Sequence, residues 1–320
     1  NKFEVTFNCG TTNITLCNKV QNQFEEIGTI ITSVLILNSP ITVNASFVDF
    51  CTALGECDSG SQYITLGGAI PARTIQLQDD DGRIREYPQA LVKQFQFDKH
   101  PEYSQFDILA MFNSKDTDFW FTGDPQIKSY QQDFLLVALH EIIHGLGFVS
   151  NWDDYINYRP EALTPVISTK FNRFLESAFD KYMIYIPTGE RISTIITKEL
   201  DKFTNKSNNQ FSSFQNFASK FKASPQYKIS LDMMKKAITP FSLGFLPHGY
   251  TNASDAVILE TSLKPYTEGS SISHVDLTTY NSTSDFLMKF LADQKITLEN
   301  KTNGNNPIGP KLKLVLETLG

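Results

Sequence analysis

Residues 140 to 144 read His140-Glu141-Ile142-Ile143-His144. Two imidazoles four positions apart, with a carboxylate beside the first, can hold a metal ion and move a proton next to it. Four positions on an α-helix is just over one turn, so His140 and His144 project from one face and both can reach the same cation. Glu141 is rotated one position round the helix, where it reaches a metal-bound water without ligating the ion. Neutral imidazole suits Zn²⁺, and a catalytic zinc keeps three protein ligands and one open position. Zn²⁺ held in this way lowers the pKa of its water to about 7 and polarises a peptide carbonyl. Glu141 then takes the proton of the attacking water and hands it to the leaving amine. The chemistry expected is peptide hydrolysis with Zn²⁺ as cofactor, Glu141 as general base and no acyl-enzyme.

The elements that must present these groups can be read around them. Ser129-Tyr130-Gln131-Gln132 fits a capping box that opens a helix. Phe134, Leu135, Ala138, Ile142 and Leu146 follow at core spacing, and Gly145 and Gly147 end the helix, one of them in the left-handed conformation. Upstream, Lys2 to Asn8 alternates as a half-buried strand and Asn18 to Leu37 carries a helical stripe that Pro40 ends. Strands are expected at Ile41 to Val48, Tyr63 to Leu66, Arg73 to Gln78 and Ile108 to Phe112. Asp79-Asp80-Asp81-Gly82 lacks the alternating ligands and closing Glu of a calcium loop and reads as a hairpin turn. Downstream, three apolar stripes predict a helical insertion: Phe171, Phe174, Leu175, Ala178, Phe179 and Tyr182; then Ile192, Ile195, Ile196 and Leu200; then Phe211, Phe214, Phe217, Ala218 and Phe221. Pro310 opens a last helix with Leu312, Val315, Leu316 and Leu319 buried.

Composition narrows the setting. The 320 residues can bury a sizeable core, and no apolar run reaches the roughly 18 residues of a membrane span. A net charge of −7 argues against nucleic acid or an anionic membrane as partner. Cys9, Cys17, Cys51 and Cys57 show no zinc-ribbon spacing and read as two disulfides, Cys9–Cys17 and Cys51–Cys57, each closing a short polar loop. Asn-x-Ser/Thr sites at Asn13, Asn44, Asn205, Asn252, Asn281 and Asn300 add to the secretory reading. A secreted, extracellular monomer acting on protein or peptide substrates is expected. No signal peptide opens the chain at Asn1, so this would be its mature form.

The third ligand is left open by the residues themselves. His100 precedes Pro101 in a polar stretch and reads as a surface residue, and His248 in Pro247-His248-Gly249 reads as a turn residue. A gluzincin would use a downstream glutamate, Glu161 or Glu176. The compact metzincin spacing would put a third histidine at position 150, where this chain has Ser150. Gly269-Ser270-Ser271-Ile272-Ser273-His274-Val275-Asp276 followed by Phe286-Leu287-Met288 resembles the leishmanolysin-like metzincins, whose third histidine comes after a long insertion. The resemblance covers Ser129 to Ser150 and Gly269 to Met288, and it implies ligands His140, His144 and His274, base Glu141 and Met-turn residue Met288. In place of the Tyr that some metzincins carry two residues after the Met, this chain has Phe290; Tyr280 and His248 are candidate substitutes. These 320 residues carry no counterpart of the cysteine-rich C-terminal portion of protozoan leishmanolysins.

The expected architecture is an α+β, metzincin-like zincin with a twisted N-terminal sheet and active-site helix in residues 1–150. A helical insertion occupies 151–240, and a C-terminal subdomain in 241–320 returns the third ligand and the Met-turn. The alternatives are a gluzincin-type zinc peptidase and a non-catalytic secreted zinc-binding glycoprotein.

Overall fold

The computed structural model describes residues 2–57, 64–115, 118–205 and 211–320. The alternation at the N-terminus forms strand β1 (Phe3–Cys9), with Phe3 buried and Val5 and Phe7 half-buried on the same side. Helix α1 (Ile14–Val34) begins four residues before the expected start, because the Asn13 side chain accepts from the Leu16 N–H at 3.1 Å and caps it. Its end also differs, since Leu35 is already extended. The stripe Val20, Phe24, Ile27 and Ile31 is buried against the sheet. Strand β2 (Ile41–Val48) occupies the expected residues, with Ile41, Val43, Ala45 and Phe47 buried. The α1 crossover leaves β1 and β2 parallel, with Phe3 opposite Ile41.

A short helix α2 (Phe50–Leu54) comes next, capped by Asp49. The disulfides join Cys9 to Cys17 and Cys51 to Cys57, as expected. Strand β3 lies at Gly67–Pro71 rather than at Tyr63 to Leu66: residues 64–66 are irregular and Tyr63 lies outside the described residues. Strands β4 (Thr74–Gln78) and β5 (Ile84–Pro88) make the predicted hairpin, with Gly82 at φ +77° in its turn, and lead into α3 (Gln89–Val92). Strand β6 (Ile108–Asn113) completes a four-stranded sheet of order β1-β2-β6-β3, in which β1 and β3 are the edge strands and β3 runs antiparallel to its neighbour. The bonds from Asn113 N–H to the Leu66 carbonyl and from Ala72 N–H to the Asp107 carbonyl set the register. Leu66, Gly68 and Ile70 therefore bond to β6, while Gly67, Ala69 and Pro71 turn their backbone groups to the open edge. Pro71 lacks an N–H, which such a position tolerates.

The histidine-bearing helix α4 (Phe134–Gly145) lies against this sheet. Ser129 does not cap it. Phe119–Trp120 (β7) and Gln132–Asp133 (β8) form a short parallel pair that holds the chain extended through Asp133. Asp133 is the N-cap, accepting from Leu135 N–H at 2.9 Å with one oxygen and from Leu298 N–H at 2.7 Å with the other. Phe134 stands in a cage of rings, with centroids 5.1 to 6.1 Å from Phe24, Phe47, Phe112, Phe119 and Phe121. Phe134→Ala is expected to lower stability by about 3–5 kcal/mol through lost transfer energy and the cavity left behind. Urea unfolding monitored by circular dichroism measures it; a loss below about 1 kcal/mol would mean that the cage is not the core's anchor.

The stretch predicted as a first insertion helix differs most. Phe171 to Tyr182 is not helical: Val166–Ile167 (β9) pairs antiparallel with Phe174–Leu175 (β10), and Asp180–Tyr182 forms one 3₁₀ turn. Met183–Tyr185 (β11) then pairs with Leu243–Phe245 (β12), which pairs with Val257–Ile258 (β13). A nearby antiparallel pair and a bridge from Ser177 to distant Glu86 outweigh the helical spacing here. Helices α5 (Ile192–Thr204) and α6 (Phe214–Lys222) form where the second and third stripes lie, although Ile195 is exposed and Phe211 precedes its helix, and α7 (Pro225–Ala237) follows beyond both stripes. Short helices α8 (Leu277–Tyr280) and α9 (Leu298–Thr302) precede the terminal α10 (Pro310–Leu319), whose four predicted apolar residues are buried. The whole is a mixed α+β structure. Among the described residues no helix is long and apolar enough to cross a membrane.

Asn13, Asn252 and Asn300 are exposed. Asn44 is half-buried within β2, and Asn281 is half-buried with its Oδ1 accepting from Lys289 Nζ. The Asn205 site runs on into residues outside the described set.

Candidate metal centre

Helix α4 is packed so closely on the sheet that a Cβ on Gly145 would collide with Ile108 Cγ2. Gly147 lies just beyond at φ +116°, a backbone that side chains oppose, and the reversal brings the Phe148 carbonyl back beneath His144. His140 and His144 leave the helix on one face, as their spacing requires. His274 arrives from the C-terminal region on a segment paired on both sides. Leu259 bridges Val275 and Val275 bridges Lys289, while Glu260 N–H donates to the His274 carbonyl at 2.8 Å. Ile272, fully buried, sits at φ +67° two residues earlier. For a β-branched side chain this conformation costs on the order of 1–3 kcal/mol and persists only where the surroundings enforce it.

The three rings converge. Their Nε2 atoms are 3.1 Å apart for His140 and His144, and 3.2 Å from each of these to His274. Each Nδ1 faces a backbone carbonyl: Leu287 at 2.7 Å for His140, Phe148 at 2.7 Å for His144 and Ser270 at 3.0 Å for His274. A carbonyl only accepts, so each Nδ1 carries the proton and each neutral ring turns a lone pair inward at Nε2. Burial, the main cause, pushes the imidazole pKa values down, to about 4 for His140, about 3 for His144 and well below the usual range for His274. Three lone pairs that face one another without a proton repel, and a shared cation relieves this. Tetrahedral geometry with Zn–N of 2.0–2.1 Å would put such nitrogens about 3.3 Å apart. The donor set therefore fits a divalent metal of the zinc type. Among the described residues this is the one group of three or more His, Cys, Asp or Glu close enough to share an ion.

Glu141 lies outside that triangle, half-buried. Burial raises its carboxyl to about 8, and the backbone N–H of Ala69, on the open edge of β3, pulls it part of the way back. Met288 is fully buried, and its carbonyl accepts from Val275 N–H at 2.9 Å.

The remaining candidates lie elsewhere. Glu176 is buried against Arg83 and Arg85 and accepts from the Ser193 and Thr194 hydroxyls. Glu161 and His248 are exposed, and His100 is exposed with its Nδ1 2.6 Å from the Tyr103 hydroxyl. The buried Tyr280 hydroxyl accepts from Ile258 N–H at 3.0 Å. Neither these glutamates nor His100 and His248 join the histidine group. Sequence reasoning missed the carbonyls of Leu287, Phe148 and Ser270, the identity of β3 as the edge beside α4, and the Asp133 cap. Only the cap had a local signal, an Asp directly before the apolar run.

A family model described as SPBPB7E8-like matches residues 1–320. A relative from Schizosaccharomyces pombe, described as "Uncharacterized protein PB7E8.01", is 31% identical over 365 residues. The match takes in 100% of this chain and 62% of that protein, so the chain spans less than two thirds of its relative's length. No solved structure matches.

Proposed function

The chain belongs to the SPBPB7E8-like family, and we propose that it is a secreted zinc-dependent endopeptidase of the metzincin type. The observation that carries this reading is the inward-facing Nε2 triangle of His140, His144 and His274 with the Glu141 carboxylate on the same helix. A zinc ion bound there supplies a Lewis acid that acidifies water and polarises a peptide carbonyl. His140, His144 and His274 hold it through Nε2, oriented by the carbonyls behind them. A cation held beside it would favour the ionised form of Glu141 over the protonated form that burial alone favours, and Glu141 would then accept the proton of the attacking water and deliver it to the departing amine. Ala69, next to Glu141, belongs to an edge strand whose outward-facing backbone groups can pair with an extended peptide, so that the scissile bond is laid alongside α4. The two disulfides and the exposed Asn-x-Ser/Thr sites support an extracellular setting.

Among the described residues neither Glu161 nor Glu176 joins the histidine group, and the Glu176 carboxylate is committed to arginines, which supports the metzincin over the gluzincin reading. Hydrolysis of an unfolded protein, with and without a chelator and with zinc added back, tests the proposal. Activity that the chelator removes and zinc restores is expected. Stoichiometric zinc without hydrolysis would favour a zinc-binding glycoprotein, and hydrolysis indifferent to the chelator would remove zinc from the mechanism.

A further inference from the structure

One chain of hydrogen bonds links the exit of α4 to the segment that carries His274, and neither zinc binding by the histidines nor proton transfer by Glu141 uses any of its members. It starts at Asp180, which is fully buried and has no cationic partner within ion-pair distance among the described residues. Its carboxylate is held by donors instead: the Ser150 hydroxyl at 2.6 Å, the Asn151 N–H at 3.0 Å and the Ser177 N–H at 2.8 Å. Ser150, fixed by that contact, donates its backbone N–H to the Ser273 hydroxyl at 3.1 Å. Ser273 is the residue between Ile272, with its left-handed backbone, and His274. Its peptide neighbours are held as well, Ile272 N–H by the Glu260 carbonyl at 2.9 Å and the His274 carbonyl by Glu260 N–H at 2.8 Å. Backbone pairing thus sets the path of the segment, and the Ser273 side chain pins it against α4.

We propose that Asp180 and Ser150 are positioning residues for the third metal ligand: Asp180 orients Ser150, Ser150 anchors Ser273, and the anchor keeps the His274 ring on the two helix-borne imidazoles. The inference rests on the three histidines being a metal site. The contributors are far apart in sequence, which is why an anchor is needed. His140 and His144 share one helix and keep their spacing without help, whereas His274 comes from a separate segment with an unfavourable backbone conformation next to it. Backbone pairing holds such a segment to its own neighbours, and a contact that crosses from it to the helix exit sets its register on the helix. The Ser150–Ser273 bond is such a contact, and Asp180 immobilises its near end.

The test uses Co²⁺, whose visible absorption reports the ligand geometry, titrated into the metal-free chain. Parent, Ser273→Ala, Ser273→Thr and Asp180→Asn are compared, and the melting of each metal-free protein is recorded alongside. The parent should bind one Co²⁺ with an intense tetrahedral spectrum. Ser273→Ala and Asp180→Asn should bind about 10- to 100-fold more weakly, the range typical when a group that orients a ligand is lost, with altered bands. Ser273→Thr, which keeps the hydroxyl, should recover most of the affinity. A purely structural role would lower the melting temperature and leave the spectrum of the bound Co²⁺ as in the parent. Ser273→Ala is the deciding variant, because it removes one acceptor from a half-buried side chain and leaves Asp180 and its donors in place. If Ser273→Ala binds Co²⁺ with the parent's affinity and spectrum, the positioning role is overturned while the metal site stands. If the parent binds no Co²⁺, the metal site and the inference built on it fall together.

Discussion

Glu141→Ala is expected to abolish peptide hydrolysis and to leave one zinc per chain. The three Nε2 donors belong to His140, His144 and His274, and Glu141 lies outside them, so its removal takes away no ligand. The variant loses the group that accepts and returns a proton, and a positioned acid-base typically contributes a factor of about 10²–10⁴. Glu141→Gln is the stricter form, because it keeps the size of the side chain and an acceptor for the Ala69 N–H while losing basicity. Zinc content by elemental analysis, paired with the hydrolysis rate, checks both halves. Loss of stoichiometric zinc from Glu141→Gln would make Glu141 a ligand, and full activity with zinc retained would place the base elsewhere.

His274→Ala should remove activity and cut zinc affinity by more than the 10- to 100-fold or so that losing an orienting partner costs, because an atom bonded to the metal is itself gone. Its value lies in the contrast with Glu176→Ala. That change deprives the fully buried Arg85 of one of its three carboxylate partners. Breaking a buried pair costs about 3–5 kcal/mol, and with Asp79 and Asp81 still present the lower end is expected. Glu176→Ala should therefore melt earlier and keep its metal, whereas His274→Ala should lose the metal. Exposed Glu161→Ala and His248→Ala should change stability by no more than about 0.5 kcal/mol and leave zinc bound. Equilibrium zinc binding by the four proteins decides the matter. Parent-like binding by His274→Ala, with loss in Glu176→Ala or Glu161→Ala, would overturn the ligand assignment and return the gluzincin reading.

Features set by near neighbours along the chain were legible in the residues alone. The side-by-side placement of His140 and His144, with Glu141 one step round, is a property of any helix carrying those residues. The strict alternation of β2 left it one conformation that buries Ile41, Val43, Ala45 and Phe47, and each cysteine pair closes within a few residues. Where the spacing within one stretch competed with pairing to another stretch, the pairing prevailed. Ser129 offered a capping box, but pairing of Gln132–Asp133 with Phe119–Trp120 keeps the backbone extended there, and the cap passes to Asp133. Phe171 to Tyr182 has helical spacing, yet its residues pair in part with Val166–Ile167 and with Glu86, and the strand beyond it joins Leu243–Phe245. Three features depended on the folded chain: His274 meets the other two histidines, all three Nδ1 atoms face carbonyls, and Ser150 and Ser273 lie within a hydrogen bond of each other. The physical reason is that helical spacing is set by bond geometry a few residues away. Closing a loop of more than a hundred residues depends on the summed packing of everything between, which no short stretch of sequence carries.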